Sequence, residues 1–332
     1  MIPAGRIRRL RIRIPLLLLT FLSLSCGIGG SDFAGGGTGG TGISTGSISG
    51  FGSVVMNGVH FRTDNNTKKM LNGNEDKSGR MDNVVFAVGM IVTVRHGVGD
   101  NDAQKIEYRN NLEGPISSMS SGDNTFEVLG QTVVVDNGAA FALLSPNDVV
   151  EVSGFVDSAG RIRATYIERK MQPPRPAKEY EVKGFVSGLP TIDNTFLLGL
   201  LPDGSVPVVT VLYAPPISGL PGGLENRMYV QVTTIDTMPS GGRITGTRVE
   251  ILPPRTDFPD KSIVDLEGFV TAAPSGSGNV LSFAVEGKAV RTDDATVFAS
   301  GKTAADIQRD VRLQVRGTEA GGILSAVNVI FR

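Results

Sequence analysis

Residues 160–168 read Gly-Arg-Ile-Arg-Ala-Thr-Tyr-Ile-Glu, and residues 242–250 read Gly-Arg-Ile-Thr-Gly-Thr-Arg-Val-Glu. In the first copy, the apolar side chains of Ile162, Ala164 and Tyr166 alternate with polar ones. This period of two is typical of a β-strand that buries one face. Because the stretch occurs twice, it also predicts a duplicated unit built from strands.

The repeat extends over most of the chain. Each unit opens with a glycine followed by phenylalanine or proline, at residues Gly50-Phe51, Gly114-Pro115, Gly184-Phe185 and Gly268-Phe269. Each unit closes with a small residue, two variable residues and a β-branched one, at residues 103–106, 164–167, 246–249 and 326–329. These marks predict four units, at residues 46–109, 110–170, 179–252 and 262–332.

Within a unit, short β runs are separated by turn clusters. A short helix is predicted between the third and fourth strands, at Ala139–Leu144 in one unit and Thr303–Gln308 in another, where Thr303 and Asp306 have capping-box spacing. Three strands, a short helix and two strands are the order of a small Greek-key barrel of the oligonucleotide/oligosaccharide-binding (OB) type. The sequence therefore predicts an all-β fold of tandem OB-like barrels. A single large β-sandwich is the alternative, since sandwiches share the same strand signal.

Two proline-bearing joints, at 171–178 and 253–261, flank the third unit. Proline favours extended, semi-rigid spacing. Only Arg109, Asn110 and Asn111 separate the first two units. We therefore expect one fused pair of barrels followed by two spaced single barrels.

The N-terminus has the layout of a bacterial lipoprotein export signal. Residues 1–25 carry five arginines, no acidic residue and a short leucine-rich run that is too short to cross a bilayer as a helix. Cys26, the only cysteine, follows this segment. In the lipoprotein signals that it resembles, the cysteine becomes the lipidated first residue and Leu usually stands three positions earlier, where this chain has Ser23. A secretory signal that is cut elsewhere is the alternative.

Residues 26–45 are mostly Gly, Ser and Thr, which predicts a flexible tether because such a stretch cannot bury enough apolar surface to order itself. Gly27 after the cysteine implies, by the same resemblance, an outer-membrane anchor facing the periplasm or the cell surface. Removal of residues 1–25 leaves 27 basic and 33 acidic residues, a formal charge of −6. This charge argues against a nucleic-acid partner.

The sequence contains few candidate catalytic or metal-binding residues. His60 and His96 could form a metal pair only with a third ligand that the sequence does not identify, and no serine lies in a nucleophile elbow. The acidic turns 99–102 and 74–76 lack the spacing of a calcium loop. Paired carboxylates from distant strands stay open as a glycosidase site, although the chain has no tryptophan and only five tyrosines to stack on sugars. We therefore predict no catalytic set, no metal and no cofactor.

Three segments resemble the DUF5666 family of exported bacterial proteins: residues 46–61, residues 88–94, and residues 126–136 together with 148–156. The resemblance is strong across residues 44–170 and weaker over the third and fourth units, where Leu200–Leu224 carries an insertion. It implies a repeated OB-like domain, often found in lipoproteins, with no established activity and no functional residues to transfer.

Together these observations predict a lipid-anchored envelope protein. Its barrels would act as a non-catalytic binding or spacer array, with the membrane, an envelope protein or a polysaccharide as partner. A carboxylate-dependent glycan hydrolase and a purely structural stalk are the alternatives. Two acids in a deep cleft would favour the hydrolase.

Overall fold

The computed structural model describes residues 41–76, 86–170, 179–191, 193–204, 209–214, 223–299 and 301–332. The described residues all belong to one compact unit and are nearly all β, with small closed five-stranded barrels. The predicted fold class is therefore confirmed. The signal peptide (1–25), Cys26, residues 26–40 of the tether, the joint 171–178 and much of the insertion lie outside the described residues.

Barrel 1 contains the strands β1 (Thr41–Gly50), β2 (Val54–Met56), β3 (Val59–Phe61), β4 (Lys68–Leu71), β5 (Asn74–Glu75), β6 (Ile91–Gly97) and β7 (Ala103–Tyr108). β1 pairs with β2 and with β6, and β6 pairs with β7. A parallel bridge between Arg62 and Asp102 joins the end of β3 to the start of β7 and closes the ring. β4 and β5 extend the sheet outward from β7.

Barrel 2 contains β8 (Leu112–Ser120), β9 (Thr125–Val128), β10 (Gln131–Val134), the helix α1 (Gly138–Phe141), β11 (Val149–Val156) and β12 (Ile162–Arg169). Its first strand pairs with the second and the fourth, and its third strand pairs in parallel with the fifth. This is the strand order of an OB barrel. The helix lies in the predicted place, where the Asn137 side chain accepts hydrogen bonds from two backbone amides.

Barrels 3 and 4 repeat this order. Barrel 3 contains β13 (Tyr180–Ser187), β14 (Thr195–Gly199), β15 (Val209–Leu212), β16 (Tyr229–Thr234) and β17 (Arg243–Ile251). Barrel 4 contains β18 (Ile263–Ser277), β19 (Val280–Val285), β20 (Lys288–Arg291), β21 (Val297–Phe298), a 3-10 helix (Ala304–Asp306), β22 (Arg312–Ala320) and β23 (Ile323–Phe331). The 3-10 helix begins with the predicted capping box of Thr303 and Asp306. The third strand pairs in parallel with the fifth in both barrels.

The barrels are joined through their first strands. β1 pairs in parallel with β18 over Gly42–Thr45 and Ile263–Leu266, and β8 pairs antiparallel with β13 at Leu112 and Val182. In barrel 1, the N-terminal part of β1 pairs on one edge with β6, and its C-terminal end pairs with β2. The second edge of the N-terminal part therefore has no partner within barrel 1. An unpaired strand edge presents backbone N–H and C=O groups that can bond to another strand. In each pair of barrels, two such edges bond to each other.

These pairings correct the predicted arrangement. The third and fourth units are not spaced singles, because barrel 3 shares a sheet with barrel 2, and barrel 4 shares a sheet with barrel 1. Barrels 2 and 3 also share one apolar core, which includes Leu112, Val182 and Leu198. The proline residues of the second joint do not extend it away from the barrels, since Phe258 in that joint is buried in the core of barrel 4.

The tether prediction is wrong for residues 41–45, which form the beginning of β1. Ile43 in this segment is only 1% exposed. A Cβ atom on Gly42 would lie 2.3 Å from the His96 ring, and one on Gly46 would lie 2.4 Å from Asn57. Gly42 and Gly46 therefore leave room for these two side chains in a closely packed strand.

Candidate functional site

Side chains from all four barrels meet at one place, which we call the junction. It surrounds a cavity of about 40 Å³. Its polar lining includes Asn111 from barrel 2, Arg255 from the second joint, and Glu267 and Glu286 from barrel 4. Its aromatic lining consists of Phe155, Phe185 and Tyr229.

Arg255 connects the second joint to the barrels at the junction. Its Nη2 donates to the carbonyl oxygen of Gly154 in barrel 2 at 3.1 Å. The two residues before Pro254 hold the joint in place, because Leu252 donates its N–H to Tyr229 and the carbonyl of Pro253 accepts from Arg109. The predicted spacer at 253–261 is therefore a packed connection between barrels.

Glu286 lies in the turn between the second and third strands of barrel 4. Its φ of 51° and that of Gly287, 74°, are both left-handed, which a two-residue hairpin turn requires. The Glu286 carboxylate accepts the N–H of Val156 in barrel 2 at 2.9 Å and that of Phe269 at 3.4 Å. Burial raises the pKa of Glu286 to about 8, although Arg255 and the two amides favour the charged form.

Glu267, the second carboxylate, is also committed to contacts between barrels. Its Oε2 accepts the N–H of Ser47 in barrel 1 at 3.0 Å, and its Oε1 pairs with Arg312 at 2.8 Å. A cavity of about 40 Å³ holds only a few water molecules. It has no room for a sugar ring between the two acids.

Two aromatic residues of the repeated Gly-Phe pattern, Phe185 and Phe269, pack at or beside the junction. Phe269 of barrel 4 meets Phe155 of barrel 2 edge to face, with ring centroids 6.3 Å apart. The Arg312 guanidinium lies 4.7 Å from the Phe155 centroid, and Phe185 packs against Tyr229 at 4.9 Å. Aromatic and arginine side chains do cluster, but between barrels rather than on an outer face, and Phe155 is 1% exposed. The contacts of Phe155 with Phe269 and with Arg312 join barrels 2 and 4.

A buried polar network lies where barrels 1, 2 and 3 meet. Lys183 is 1% exposed, and its Nζ donates to Asn110 at 2.5 Å and to Glu181 at 2.8 Å. Burial lowers the pKa of this lysine, while the charge of Glu181 raises it. Tyr108 donates to Glu151 at 2.7 Å, and burial raises the pKa of the phenol.

Two features of the sequence point to this network, although neither is by itself typical of a functional site. One is a lysine inside the apolar strand β13, and the other is the Asn110-Asn111 pair between two units. Asn110 and Asn111 are both buried and connect barrels 2 and 3, since Lys183 donates to both.

The two histidines are not part of one site. His60 bonds to Ser53 at 3.1 Å on the surface of barrel 1, whereas His96 contacts Ser44 at 3.3 Å and packs against Phe61. In the part of the chain that the structure describes, no group of three or more His, Cys, Asp or Glu side chains is arranged to hold a metal ion.

The acidic turn 99–102 has local partners. Asp100 accepts the backbone N–H of Asp102, and Asp102 pairs with Arg62 at 2.6 Å. Cys26, the predicted lipidation site, lies outside the described residues. Among the residues that are described, no helix is both long enough and apolar enough to cross a membrane.

Comparison with known proteins adds a family. No curated protein matches the chain. A family model, described as a domain of unknown function, matches residues 43–107, 113–168 and 267–329, which correspond to barrels 1, 2 and 4. Barrel 3 has the same strand order although these ranges do not include it. The matches cover more than half of the chain, and the protein therefore belongs to the DUF5666 family.

Proposed function

We propose that this chain is an exported, lipid-anchored protein of the cell envelope whose four barrels form one rigid, non-catalytic body. The body would serve as a binding or spacer module. The observation that carries the non-catalytic role is that charged and aromatic groups at the junction are committed to contacts between barrels. Glu267, Glu286 and Arg255 each bridge two different parts of the body, and the cavity that they surround is about 40 Å³.

Rigidity is supported by how the barrels are connected. Flexible arrays have few contacts between their domains, whereas here backbone hydrogen bonds run from β1 to β18 and from β8 to β13. Binding to an envelope protein or polysaccharide would then use the outer faces of the barrels. The hydrolase alternative is less favoured, because each of the two junction acids is occupied by amides or by an arginine.

The anchor is tested by fractionation of cells that express the full chain. Cys26→Ser should move the protein from the membrane fraction to the soluble fraction. Ser23→Leu, which restores the usual residue of the signal and keeps the cysteine, should leave the protein in the membrane fraction. If the Cys26→Ser variant stays in the membrane fraction, the lipid anchor is excluded.

The non-catalytic role is tested with purified full-length chain in detergent. Incubation with envelope glycans should release no sugar, and capture from an envelope extract should retain a glycan or protein partner if the body binds one. Glycan cleavage that is abolished by Glu267→Gln would overturn the proposal in favour of the hydrolase. Retention of no partner would leave the spacer role.

A further inference from the structure

A second cavity, of about 50 Å³, lies between barrel 1 and the second joint. We call it the arginine cavity. Barrel 1 contributes Thr93 and Arg95 from β6 and Glu107 from β7, followed by Arg109. The joint contributes Arg255 and Asp257. Three arginines therefore line a space that holds only a few water molecules.

The two carboxylates that line this cavity do not balance the positive charge of its three arginines. Glu107 is already paired with Lys105 at 2.5 Å and with Arg109. Burial raises the pKa of Glu107, but these two cations outweigh that effect and lower it, so the carboxylate is charged and occupied. Asp257 is exposed. Among the lining residues, Asp257 is the only further anion for Arg95 and Arg255, and Arg255 also lies near Glu286 of the junction.

Two of the three arginines carry a buried donor without an acceptor. Within the described ranges, Arg109 Nε and Arg255 Nη1 have no hydrogen-bond partner. Buried donors in folded proteins are almost always satisfied, by protein, water or ligand. The unpartnered N–H group of each arginine can donate a charge-assisted hydrogen bond to an oxyanion, which is stronger than a hydrogen bond to neutral water.

We propose that the arginine cavity binds a small oxyanion, such as phosphate, sulfate or a carboxylate, through Arg95, Arg109 and Arg255. The cavity admits one such group and excludes a sugar ring. The oxyanion is either a free ion or the charged group of a larger envelope component, because the chemistry of recognition is the same. The bound anion ties the second joint to barrel 1.

The test uses the full chain in detergent and titration calorimetry with inorganic phosphate, with chloride at the same ionic strength as reference. We expect saturable binding of phosphate and of sulfate. Arg95→Gln should weaken the binding by about tenfold or more, since hydrogen bonds to charged groups contribute this much. Arg248→Gln is the matched control, because Arg248 is exposed on barrel 3 and pairs only with Glu250 among its described contacts. It should bind phosphate as the unchanged chain does.

Absence of saturable phosphate and sulfate binding would overturn the proposal and assign water to the cavity. Equal phosphate affinity in the chain and in Arg95→Gln would overturn it as well. The unfolding temperature of Arg95→Gln, measured without phosphate, tests whether this variant is folded. If Arg95→Gln is not folded, Arg95→Lys is tested in its place. This variant keeps the positive charge but lacks the planar guanidinium group, and it should still bind phosphate more weakly than the unchanged chain.

Competition with phosphate identifies the source of the anion. Binding of an acidic polysaccharide that phosphate displaces identifies a glycan carboxylate or sulfate as the ligand. Binding of vesicles that contain anionic phospholipid, displaced in the same way, identifies a lipid headgroup. Saturable phosphate binding, with no binding of the polysaccharide or of the vesicles, identifies the free ion as the ligand. All three results require the same arginines.

Discussion

Replacement of Phe155 by alanine tests whether the barrels behave as one body. Phe155 is 1% exposed, and its ring contacts Phe269 and the Arg312 guanidinium of barrel 4. Truncation of a fully buried phenylalanine to alanine costs about 3 to 5 kcal/mol. The contact with Phe269 contributes about 0.5 to 1.5 kcal/mol of that loss, which a double-mutant cycle with Phe269→Ala isolates.

The assay is urea denaturation followed by circular dichroism. We expect a single transition for the unchanged chain and a midpoint at lower urea for Phe155→Ala. Phe51→Ala is the matched control, because Phe51 follows the equivalent glycine in barrel 1 and is 36% exposed. It should cost less than about 1 kcal/mol. A loss below about 1 kcal/mol for Phe155→Ala, or zero coupling to Phe269, would refute the argument that these rings join barrels 2 and 4.

Two further predictions concern β1 and Glu286. A fragment of residues 46–332 should be less stable than one of residues 36–332 by about 3 kcal/mol or more, because it lacks the buried Ile43 and the pairing with β18; equal unfolding temperatures would contradict this. The pKa of Glu286 is raised from 4.5 to about 8, so the folded chain binds more protons than the unfolded chain between these values. Its stability should therefore fall as the pH rises from about 5 to about 8, and Glu286→Gln, whose Oε1 can still accept from Val156, should flatten this fall; an unchanged pH profile in the variant would exclude Glu286 as the cause.

The barrel itself was predictable because it depends on local patterns. Alternation in the stretch 160–168 indicated a half-buried strand, and that stretch forms β12. The Thr303 and Asp306 spacing indicated a cap, and the cap is present. Strand order followed from the number and sequence of these elements, since few topologies close a five-stranded barrel.

The joining of barrels was not predictable in the same way. It depends on which strand edge has no partner within its own barrel. That edge is set by how the strands pair in three dimensions, and the residue pattern of a single strand does not reveal it. The stretch 41–46 contains two glycines and little that is apolar, so composition favoured a tether. Only the contact of Gly42 with the His96 ring and of Gly46 with Asn57 explains those glycines as packing residues.

The junction was partly visible in the sequence. The Gly-Phe pattern marked Phe185 and Phe269, but periodicity alone assigns such residues to the core of their own barrel. The partners of these rings come from other strands and barrels, as with Phe155 and Phe269. Glu286 and Arg255 gave no signal at all, because a charged residue in a turn or beside prolines is usually solvated. Their role depends on contacts made by distant segments.

The pairing of β1 with β18 gives the N-terminal strand a double role. Ser47 in β1 and Glu267 in β18 bond directly although 220 positions separate them in the chain. The beginning of β1 is hydrogen-bonded to β6 on one edge and to β18 on the other. A strand held on both edges must break two sets of backbone hydrogen bonds to leave the sheet, whereas an edge strand must break only one. The insertion of β1 between two barrels therefore makes the first described strand an interior strand of the sheet that joins barrels 1 and 4.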